Sequence, residues 1–224
     1  MVVVETHEEW MILNKPAGVS VFPRHDNPDS DCLLKRLISR HPEQDQPFPD
    51  GFAGGIAHRL DIPTSGMVLA ARSPAALMQI RSYFTNKLWS KKYLLISAVH
   101  ASWMAHICDL AIAHHPKSRK KMVVQRHART HHRGKWYAAE TRFQYLGPCN
   151  NGHLYQATMR SGVMHQIRVH AAAIGIPLLG DELYGGAIAP PSFEVGFALH
   201  HCGMSCPAIE TQPIDPPSWW PEQL

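Results

Sequence analysis

The stretch from Gly55 to Ala71, GIAHRLDIPTSGMVLAA, places the tightest constraint on how this chain folds. Pro63 and Gly66 are turn-forming residues, so the chain is expected to reverse direction between them. The apolar run from Met67 to Ala71 then predicts a short, fully buried strand. Asp61 is therefore expected on a stiff loop at the mouth of a sheet.

Length and composition describe an ordinary globular protein. The chain has 224 residues, of which 45% are hydrophobic and 18% are charged, which is enough to bury a substantial core. It has no apolar run of about 18 residues, so we expect no membrane span. The N-terminus, MVVVETHEEW, has no basic segment followed by a long apolar stretch, and so gives no sign of a secretory signal. Five cysteines at irregular spacings do not indicate a disulfide framework, which favours a cytoplasmic location.

Positive charge is concentrated in one part of the chain. The formal net charge is only +4, but cations cluster between residues 117 and 142, where Glu140 is the one opposing charge. They are Lys117, Arg119, Lys120, Lys121, Arg126, Arg129, Arg133, Lys135 and Arg142. Segment 114–135 is expected to be an insertion or loop. It is either a solvated loop or an arm that contacts phosphates.

Periodicity and turn residues predict the other main elements. A short helix is expected from Leu33 to Arg40, and an amphipathic helix from Pro74 to Leu88 with Ser73 as its N-cap. We expect strands over residues 91–99, 105–113 and 153–159, the last following a hairpin turn at 150–152.

A second informative segment is Ser161–Gly186, SGVMHQIRVHAAAIGIPLLGDELYGG. Its apolar residues at 164, 167, 171 and 174 predict one face of a helix that ends at Gly175. His165 and Arg168 are three residues apart and are expected to share a different face of that helix.

These two segments resemble signature motifs of the RluA-type pseudouridine synthases. The first motif is HRLDxxTSG, which His58–Asp61 and Thr64–Gly66 match. The second is TGRTHQIRVHxAxxGHPIxGDxxYG, from which the chain departs at Ser161 and at Val163-Met164, the latter replacing the family's Arg-Thr or Arg-Ser. The matching positions of the second motif are His165, Gln166, Ile167, Arg168, Val169, His170, Gly175, Pro177, Gly180, Asp181, Tyr184 and Gly185. An NKPxG segment at Asn14–Gly18 and a K-x-Y segment at Lys91–Tyr93 extend the resemblance.

The resemblance implies a fold and a catalytic set. The fold is the α+β pseudouridine synthase fold, a bent, mostly antiparallel mixed sheet with flanking helices and a central cleft. In that family the aspartate of the first motif is catalytic, which assigns this role to Asp61. The arginine of HQIR pairs with the catalytic carboxylate, so Arg168 is expected to contact Asp61. The tyrosine of the K-x-Y strand packs on the target base, which assigns that position to Tyr93.

The implied reaction is the isomerisation of uridine to pseudouridine in RNA. The N1–C1′ bond breaks, the base turns, and it rejoins the ribose through C5, with no metal or other cofactor. Asp61 either attacks C1′ or takes a proton from C2′, and the sequence leaves both open. The base must leave the stack, so we expect a stem-loop of ribosomal or transfer RNA as the substrate.

Further residues are expected to bind the substrate RNA. Arg59 is placed to fill the gap that the extruded nucleotide leaves. The full set is His58, Arg59, Thr64, Lys117, Lys120, Arg126, His165 and Gln166. The chain is expected to act as a monomer with a single catalytic domain over residues 1–224, and without the S4 module that many relatives carry.

Two other functions are compatible with parts of the sequence. A catalytically inactive RNA-binding protein could share the fold, since Val163 and Met164 remove a cation from the second motif. A zinc or nickel protein is suggested by His200-His201-Cys202 with Cys206, and by the pairs at 114–115 and 131–132. The spacing lacks the second matched pair of ligands that structural zinc sites usually have, so no metal ligands are assigned.

Overall fold

A computed structural model of the chain describes residues 2–191, 193 and 196–220. The chain forms two compact units, the first comprising Met1–Trp89 and His200–Pro217, the second Ser90–Leu199 and Ser218–Leu224. The α-helices are α1 (Leu33–Arg40), α2 (Pro74–Thr85) and α3 (Gln166–Ala173). The strands are β1 (Val3–Thr6), β2 (Trp10–Lys15), β3 (Ser65–Ala71), β4 (Ser90–Ser97), β5 (Ala105–Cys108), β6 (Ile112–His114), β7 (Met122–Val124), β8 (Arg133–Tyr137), β9 (Thr141–Cys149), β10 (Gly152–Met159), β11 (Leu199–Cys206) and β12 (Ile209–Glu210).

The sheet of the first unit has the order β1–β2–β3–β11, and β12 pairs with β11. The pairs β1–β2, β2–β3 and β11–β12 are antiparallel, whereas β3 and β11 are parallel, with His201 opposite Gly66. Gly66 has φ +105°, and a Cβ atom there would lie 2.3 Å from the His201 carbonyl oxygen. A residue with a side chain would push these two strands apart, so the close parallel pair requires glycine at this position.

Strand β3 is buried along its whole length, as the sequence predicts. Successive side chains of a strand point to opposite faces. Met67 and Leu69 accordingly pack in one hydrophobic cluster with α2 residues, while Val68 and Ala70 pack in a second cluster with α1 residues. Strand β3 is therefore fixed between two layers of apolar side chains.

Helix α2 begins where it was predicted and ends earlier. The Ser73 hydroxyl accepts a hydrogen bond of 3.1 Å from the Ala76 N–H, and Pro74 occupies the first helical turn. The helix stops at Thr85 instead of Leu88, because Lys87 adopts a left-handed conformation with φ 55°.

The second unit contains two antiparallel sheets. The larger one has the order β4–β10–β9–β5, and the smaller one has the order β7–β6–β8. A strand predicted over residues 105–113 is wrong: it is two strands, since β5 pairs with β9 whereas β6 belongs to the small sheet. Segment 114–135, expected as an insertion or loop, includes β7 and the start of β8.

The predicted α+β class with a mixed, mostly antiparallel sheet and flanking helices is confirmed. In the described part of the chain, no helix has the length and apolar character that crossing a membrane would require.

Candidate active site

In the first unit, four predicted site residues lie on the loop that precedes β3. The Ala57 N–H donates to the Leu69 carbonyl over 2.9 Å, and the Thr64 N–H donates to the Asp61 carbonyl over 3.0 Å. The second bond closes a turn over residues 61–64. The turn expected between Pro63 and Gly66 is therefore placed wrongly by two residues, because Ser65 and Gly66 already belong to β3. Asp61 is half-buried on this turn, Arg59 is exposed and Thr64 is buried.

His58 fixes this loop to β3. Its Nε2 atom accepts a hydrogen bond of 3.1 Å from the Leu69 N–H. A backbone N–H can only donate, so Nε2 carries no proton in this arrangement. This bond orients the ring as an anchor for the loop. The assignment of His58 to RNA binding stays a prediction.

Lys15 supports the same loop, and sequence reasoning did not single it out. Its Nζ donates to the carbonyls of Pro16, Val19 and Ile62 over 2.8, 2.7 and 2.9 Å. The Gly18 N–H also donates to the Ile62 carbonyl over 2.9 Å. Because Ile62 follows Asp61 directly, these bonds hold the turn that presents the carboxylate.

The buried position of Lys15 affects its protonation. Burial lowers the pKa of Lys15 to about 7, an effect that the nearby Asp61 carboxylate partly opposes and the Arg36 guanidinium reinforces. The three carbonyl acceptors match the three hydrogens of an ammonium group, so the charged form is fully hydrogen bonded.

In the second unit, Lys91 and Tyr93 lie two residues apart on β4 and therefore share a face. In the antiparallel pair with β10 they lie opposite Met159 and Ala157. Both side chains are buried, and the Lys91 ammonium donates to the Ser161 carbonyl at the start of the second motif. Burial lowers the pKa of Lys91 to about 8.

Arg168 forms a two-pronged ion pair with Asp181. Its Nε donates to Oδ2 over 2.6 Å and its Nη2 donates to Oδ1 over 2.8 Å. The guanidinium also lies 4.3 Å from the ring centroid of Phe197 and 5.1 Å from that of Tyr184. Sequence analysis missed the role of Asp181, although it stands in the quoted GDELYG run. The pairing of Arg168 with Asp61 stays a prediction.

The start of α3 differs from the sequence prediction. His165 has φ 55° in the left-handed region, so the helix begins at Gln166. Met164 therefore precedes the helix and is 38% exposed, and its predicted place on the buried helical face is wrong. His165 is the N-cap residue, and its Nδ1 is hydrogen bonded to the Tyr184 hydroxyl over 2.9 Å.

The Tyr184 hydroxyl joins His165 to the small sheet. It accepts from the Met122 N–H on β7 over 2.8 Å and is also hydrogen bonded to His165 Nδ1 over 2.9 Å. These two hydrogen bonds connect β7 to the N-cap residue of α3.

Gln166 is buried in a network of its own. Its amide nitrogen donates to the Glu140 carbonyl and the Thr141 hydroxyl over 2.9 and 3.1 Å. Its amide oxygen accepts from the Ser161 hydroxyl and the Val163 N–H over 2.9 and 3.2 Å. These bonds use the amide to fix the backbone around the second motif.

The three predicted RNA-binding cations of the basic segment have different settings. Lys117 and Lys120 are exposed in the turn between β6 and β7. Arg126 is also exposed, but its Nη2 donates to the Ala173 carbonyl at the end of α3 over 3.0 Å. Arg126 thus ties the small sheet to the helix that carries Arg168.

The histidines considered as metal ligands have hydrogen-bonding partners in the first unit. His200 is bonded to the Ser65 hydroxyl and the Ile214 carbonyl, each at 2.9 Å, and burial lowers its pKa. His201 lies 2.6 Å from the Met67 carbonyl. Among the described residues, no group of three or more His, Cys, Asp or Glu side chains could hold a metal ion.

Comparison with known proteins identifies the family. A model of the RNA pseudouridylate synthase family matches residues 9–173, which include Asp61, Tyr93 and Arg168. The chain belongs to this family. The resemblance found in the two sequence motifs is therefore confirmed.

Several curated members of the family are similar to this chain. Ribosomal large subunit pseudouridine synthase D of Zymomonas mobilis is 31% identical over 183 residues, covering 82% of this chain and 55% of that protein. The protein of the same name from Xanthomonas campestris is 33% identical over 185 residues, covering 81% of this chain and 50% of that protein. The chain thus spans about half the length of these pseudouridylate synthases.

Solved structures share the fold. Human RNA Pseudouridylate Synthase Domain Containing 1 has a TM-score of 0.75 and 22% identity, covering 99% of this chain and 89% of that one. Human RNA Pseudouridylate Synthase Domain Containing 4 has a TM-score of 0.67 and 22% identity, covering 92% of this chain and 84% of that one. The pseudouridine synthase fold implied by the motifs is confirmed.

Proposed function

We propose that this chain is an RNA pseudouridine synthase that isomerises uridine in structured RNA. The observation that carries the proposal is the turn at 61–64, which presents Asp61 in a chain that belongs to the RNA pseudouridylate synthase family. Relatives named as ribosomal large subunit pseudouridine synthases favour ribosomal RNA as the substrate. We further propose that the chain works as a cytoplasmic monomer.

In the proposed reaction, Asp61 starts the cleavage of the N1–C1′ bond. The base turns, C5 bonds to C1′, and the hydrogen of C5 is lost while N1 gains one, so the product is an isomer of the substrate. Tyr93 stacks on the detached uracil and holds it, and its hydroxyl is suited to accept the C5 proton. Arg59 fills the gap that the base leaves.

Arg168 is proposed to position Asp61. The pair with Asp181 uses one hydrogen on Nε and one on Nη2, so a bond to Asp61 would come from another of the five guanidinium hydrogens. Asp181 would then fix the guanidinium from behind and make it a rigid partner for the catalytic carboxylate.

Asp61→Asn tests the catalytic assignment. RNA transcribed with uridine tritiated at C5 releases tritium to water when pseudouridine forms, so release measures turnover. Transcripts of large-subunit ribosomal RNA and of transfer RNA serve as substrates. We expect the unmodified protein to release tritium, and Asp61→Asn to release none while binding the RNA with unchanged affinity.

Asp45→Asn is the matched control, because Asp45 is an exposed aspartate of the same unit. This variant should release tritium at the rate of the unmodified protein. Turnover by Asp61→Asn would refute the catalytic role of Asp61. If the unmodified protein bound RNA but released no tritium, the alternative of an inactive RNA-binding protein would be supported instead.

A further inference from the structure

Arg168 is held by an aromatic ring as well as by a carboxylate. Its Nε and Nη2 donate to the two carboxylate oxygens of Asp181. The guanidinium carbon also lies over the Phe197 ring, 4.3 Å from the ring centroid. This separation is well inside the distance of about 6 Å at which a cation is attracted to an aromatic face. Arg168 and Phe197 are both buried, so water screens this contact little.

The carboxylate and the ring belong to two backbone segments that are fixed to each other. The Ala198 N–H donates to the Leu179 carbonyl over 2.9 Å. Gly180 has φ +85°, and a Cβ atom there would lie 2.2 Å from the carbonyl oxygen that precedes Phe197 and 3.1 Å from the Phe197 Cα. Only glycine allows the two segments to approach this closely. Asp181 and Phe197 therefore form one support for the guanidinium.

An aromatic ring can support a guanidinium without taking up its hydrogen-bond donors. The five N–H groups of arginine point outward within the plane of the guanidinium. The attraction of a cation to an aromatic face is electrostatic and needs no hydrogen-bond acceptor. The Phe197 ring therefore adds to the support from Asp181 and does not compete with the proposed pairing of Arg168 with Asp61.

Tyr184 also lies beside the guanidinium, but it has several other contacts. Its ring centroid is 5.1 Å from the guanidinium carbon and 5.5 Å from Lys121 Nζ. Its hydroxyl is hydrogen bonded to the Met122 N–H and to His165 Nδ1. A substitution of Tyr184 would disturb all of these contacts, whereas a substitution of Phe197 changes the ring that is closer to the guanidinium. Phe197 is therefore the position at which the aromatic support can be tested.

We propose that Phe197 is a positioning residue for the isomerisation of uridine. Its ring fixes the orientation of the Arg168 guanidinium, and Arg168 in turn orients the Asp61 carboxylate. Phe197 acts on the reacting carboxylate and not on RNA binding, so its loss lowers kcat and leaves KM unchanged. The inference rests on the proposed function, because Phe197 acts through Arg168.

Phe193 provides a matched control four residues earlier in the chain. It is also a buried phenylalanine of the second unit. Its ring lies 5.0 Å from the ring of Trp219, in a hydrophobic cluster that includes Leu179 and Ala198. A substitution of Phe193 therefore removes a buried ring from an apolar setting and serves to measure the effect of lost packing alone.

Tritium release from RNA measures kcat and KM for each variant. Phe197→Leu keeps an apolar side chain and removes the aromatic face, and it is expected to lower kcat by about 10- to 100-fold with KM unchanged, since a displacement of about 1 Å can cost about 100-fold. Phe197→Tyr keeps the ring and should retain most of kcat, and Phe193→Leu should match the unmodified protein. An unchanged kcat in Phe197→Leu, or equal losses in the two leucine variants, would refute the positioning role.

A spectroscopic measurement reports on the guanidinium directly. In ¹⁵N-labelled protein without RNA, the Arg168 Nε–H resonance senses the ring current of Phe197. Phe197→Leu should shift this resonance and speed the exchange of its hydrogen with water, Phe197→Met should do the same as a second non-aromatic variant, and Phe193→Leu should change neither. An absence of tritium release by the unmodified protein would refute the proposed function, whereas a resonance unmoved by both Phe197 variants would refute the aromatic support.

Discussion

Lys15 shows how a single buried cation can determine the position of the loop that carries Asp61. Three carbonyls, one of them at Ile62 beside Asp61, accept hydrogen bonds from its ammonium group. Removing the cation would leave these part-buried carbonyls without that donor. Lys15 is therefore a positioning residue.

Lys15→Met is expected to lower the free energy of unfolding by about 2 to 4 kcal/mol, because three part-buried carbonyls lose a charged donor. Turnover should fall as well, since the turn at 61–64 is loosened. Urea unfolding and tritium release measure the two effects. Lys35→Met is the control: Lys35 is exposed and donates once, to Pro28, so a change within about 0.5 kcal/mol is expected. Equal effects of the two substitutions would contradict the role of Lys15.

His170 predicts how stability depends on pH. Its Nε2 donates to the Leu110 carbonyl over 2.8 Å, its Nδ1 accepts from the Thr141 hydroxyl over 2.9 Å, and burial lowers its pKa below the usual 6.5. The unfolded chain therefore takes up the proton at a higher pH than the folded one. The contribution of His170 to the free energy of unfolding is therefore complete above about pH 6.5. It decreases as the pH falls below that value.

The expected loss per histidine is at most about 1.4 kcal/mol per pH unit within that window. His200, whose pKa burial also lowers, adds to the effect. Urea unfolding at pH 7.5, 6.5 and 5.5 measures the slope, which should be shallower in His170→Gln. A slope identical to that of the unmodified protein would show that His170 does not contribute.

Sequence reasoning predicted local elements better than the long-range contacts that support them. The buried strand β3 is encoded locally by an apolar run, so it could be predicted. Pro63 indicated a nearby turn, but the turn at 61–64 lies two residues before the expected one. The bond from Lys15 to Ile62 joins residues 47 positions apart, and no local pattern encodes it. The pair of Arg168 with Asp181 likewise depends on how α3 packs against the segment that follows it.

At the level of elements, the small sheet is attached to α3. The Tyr184 hydroxyl bridges Met122 on β7 and His165, and Arg126 bonds to the last turn of the helix. Apolar contacts between Ile112, Met122 and Val169 accompany these bonds. An element rich in cations is thus fixed to the helix that bears Arg168.

Tyr184→Phe removes the bridging hydroxyl and keeps the ring. We expect a loss of about 1 to 3 kcal/mol, since the Met122 N–H and His165 Nδ1 lose a partner. Hydrogen exchange at the Met122 amide should become faster, and mass spectrometry of peptides from β7 measures it. Tyr137→Phe, at an exposed position, is the control and should leave this exchange unchanged. Unaltered exchange in Tyr184→Phe would contradict the bridge.

The sequence did not predict this attachment. Short strands such as β7 carry weak periodicity, and the cationic residues around Met122–Val124 obscure the β-prone core of the segment. The tertiary partners of the sheet, not its local pattern, make it regular.

At the level of the whole molecule, the uneven charge predicts how RNA binding responds to salt. Suppose that the basic segment neutralises about five phosphates of a single-stranded RNA. A plot of the logarithm of the affinity against the logarithm of the salt concentration should then have a slope of about −3.5. Lys117→Gln with Lys120→Gln should make the slope shallower by about 1.4. Anisotropy titrations between about 50 and 300 mM potassium chloride measure the slope.

Lys35→Gln with Arg40→Gln removes two exposed cations of the first unit and serves as the control. Its slope should match that of the unmodified protein. A slope near zero in every variant would exclude the basic segment as a phosphate-binding arm.

The parallel pairing of β3 with β11 has a consequence for synthesis. Gly66 and His201 come together from distant parts of the chain, because the first unit consists of Met1–Trp89 and His200–Pro217. During translation, the motif strand therefore emerges long before its C-terminal neighbour. The edge of β3 that β11 will occupy stays without that partner while the second unit is being made, and we expect a nascent chain halted before residue 200 to be sensitive to proteolysis near β3.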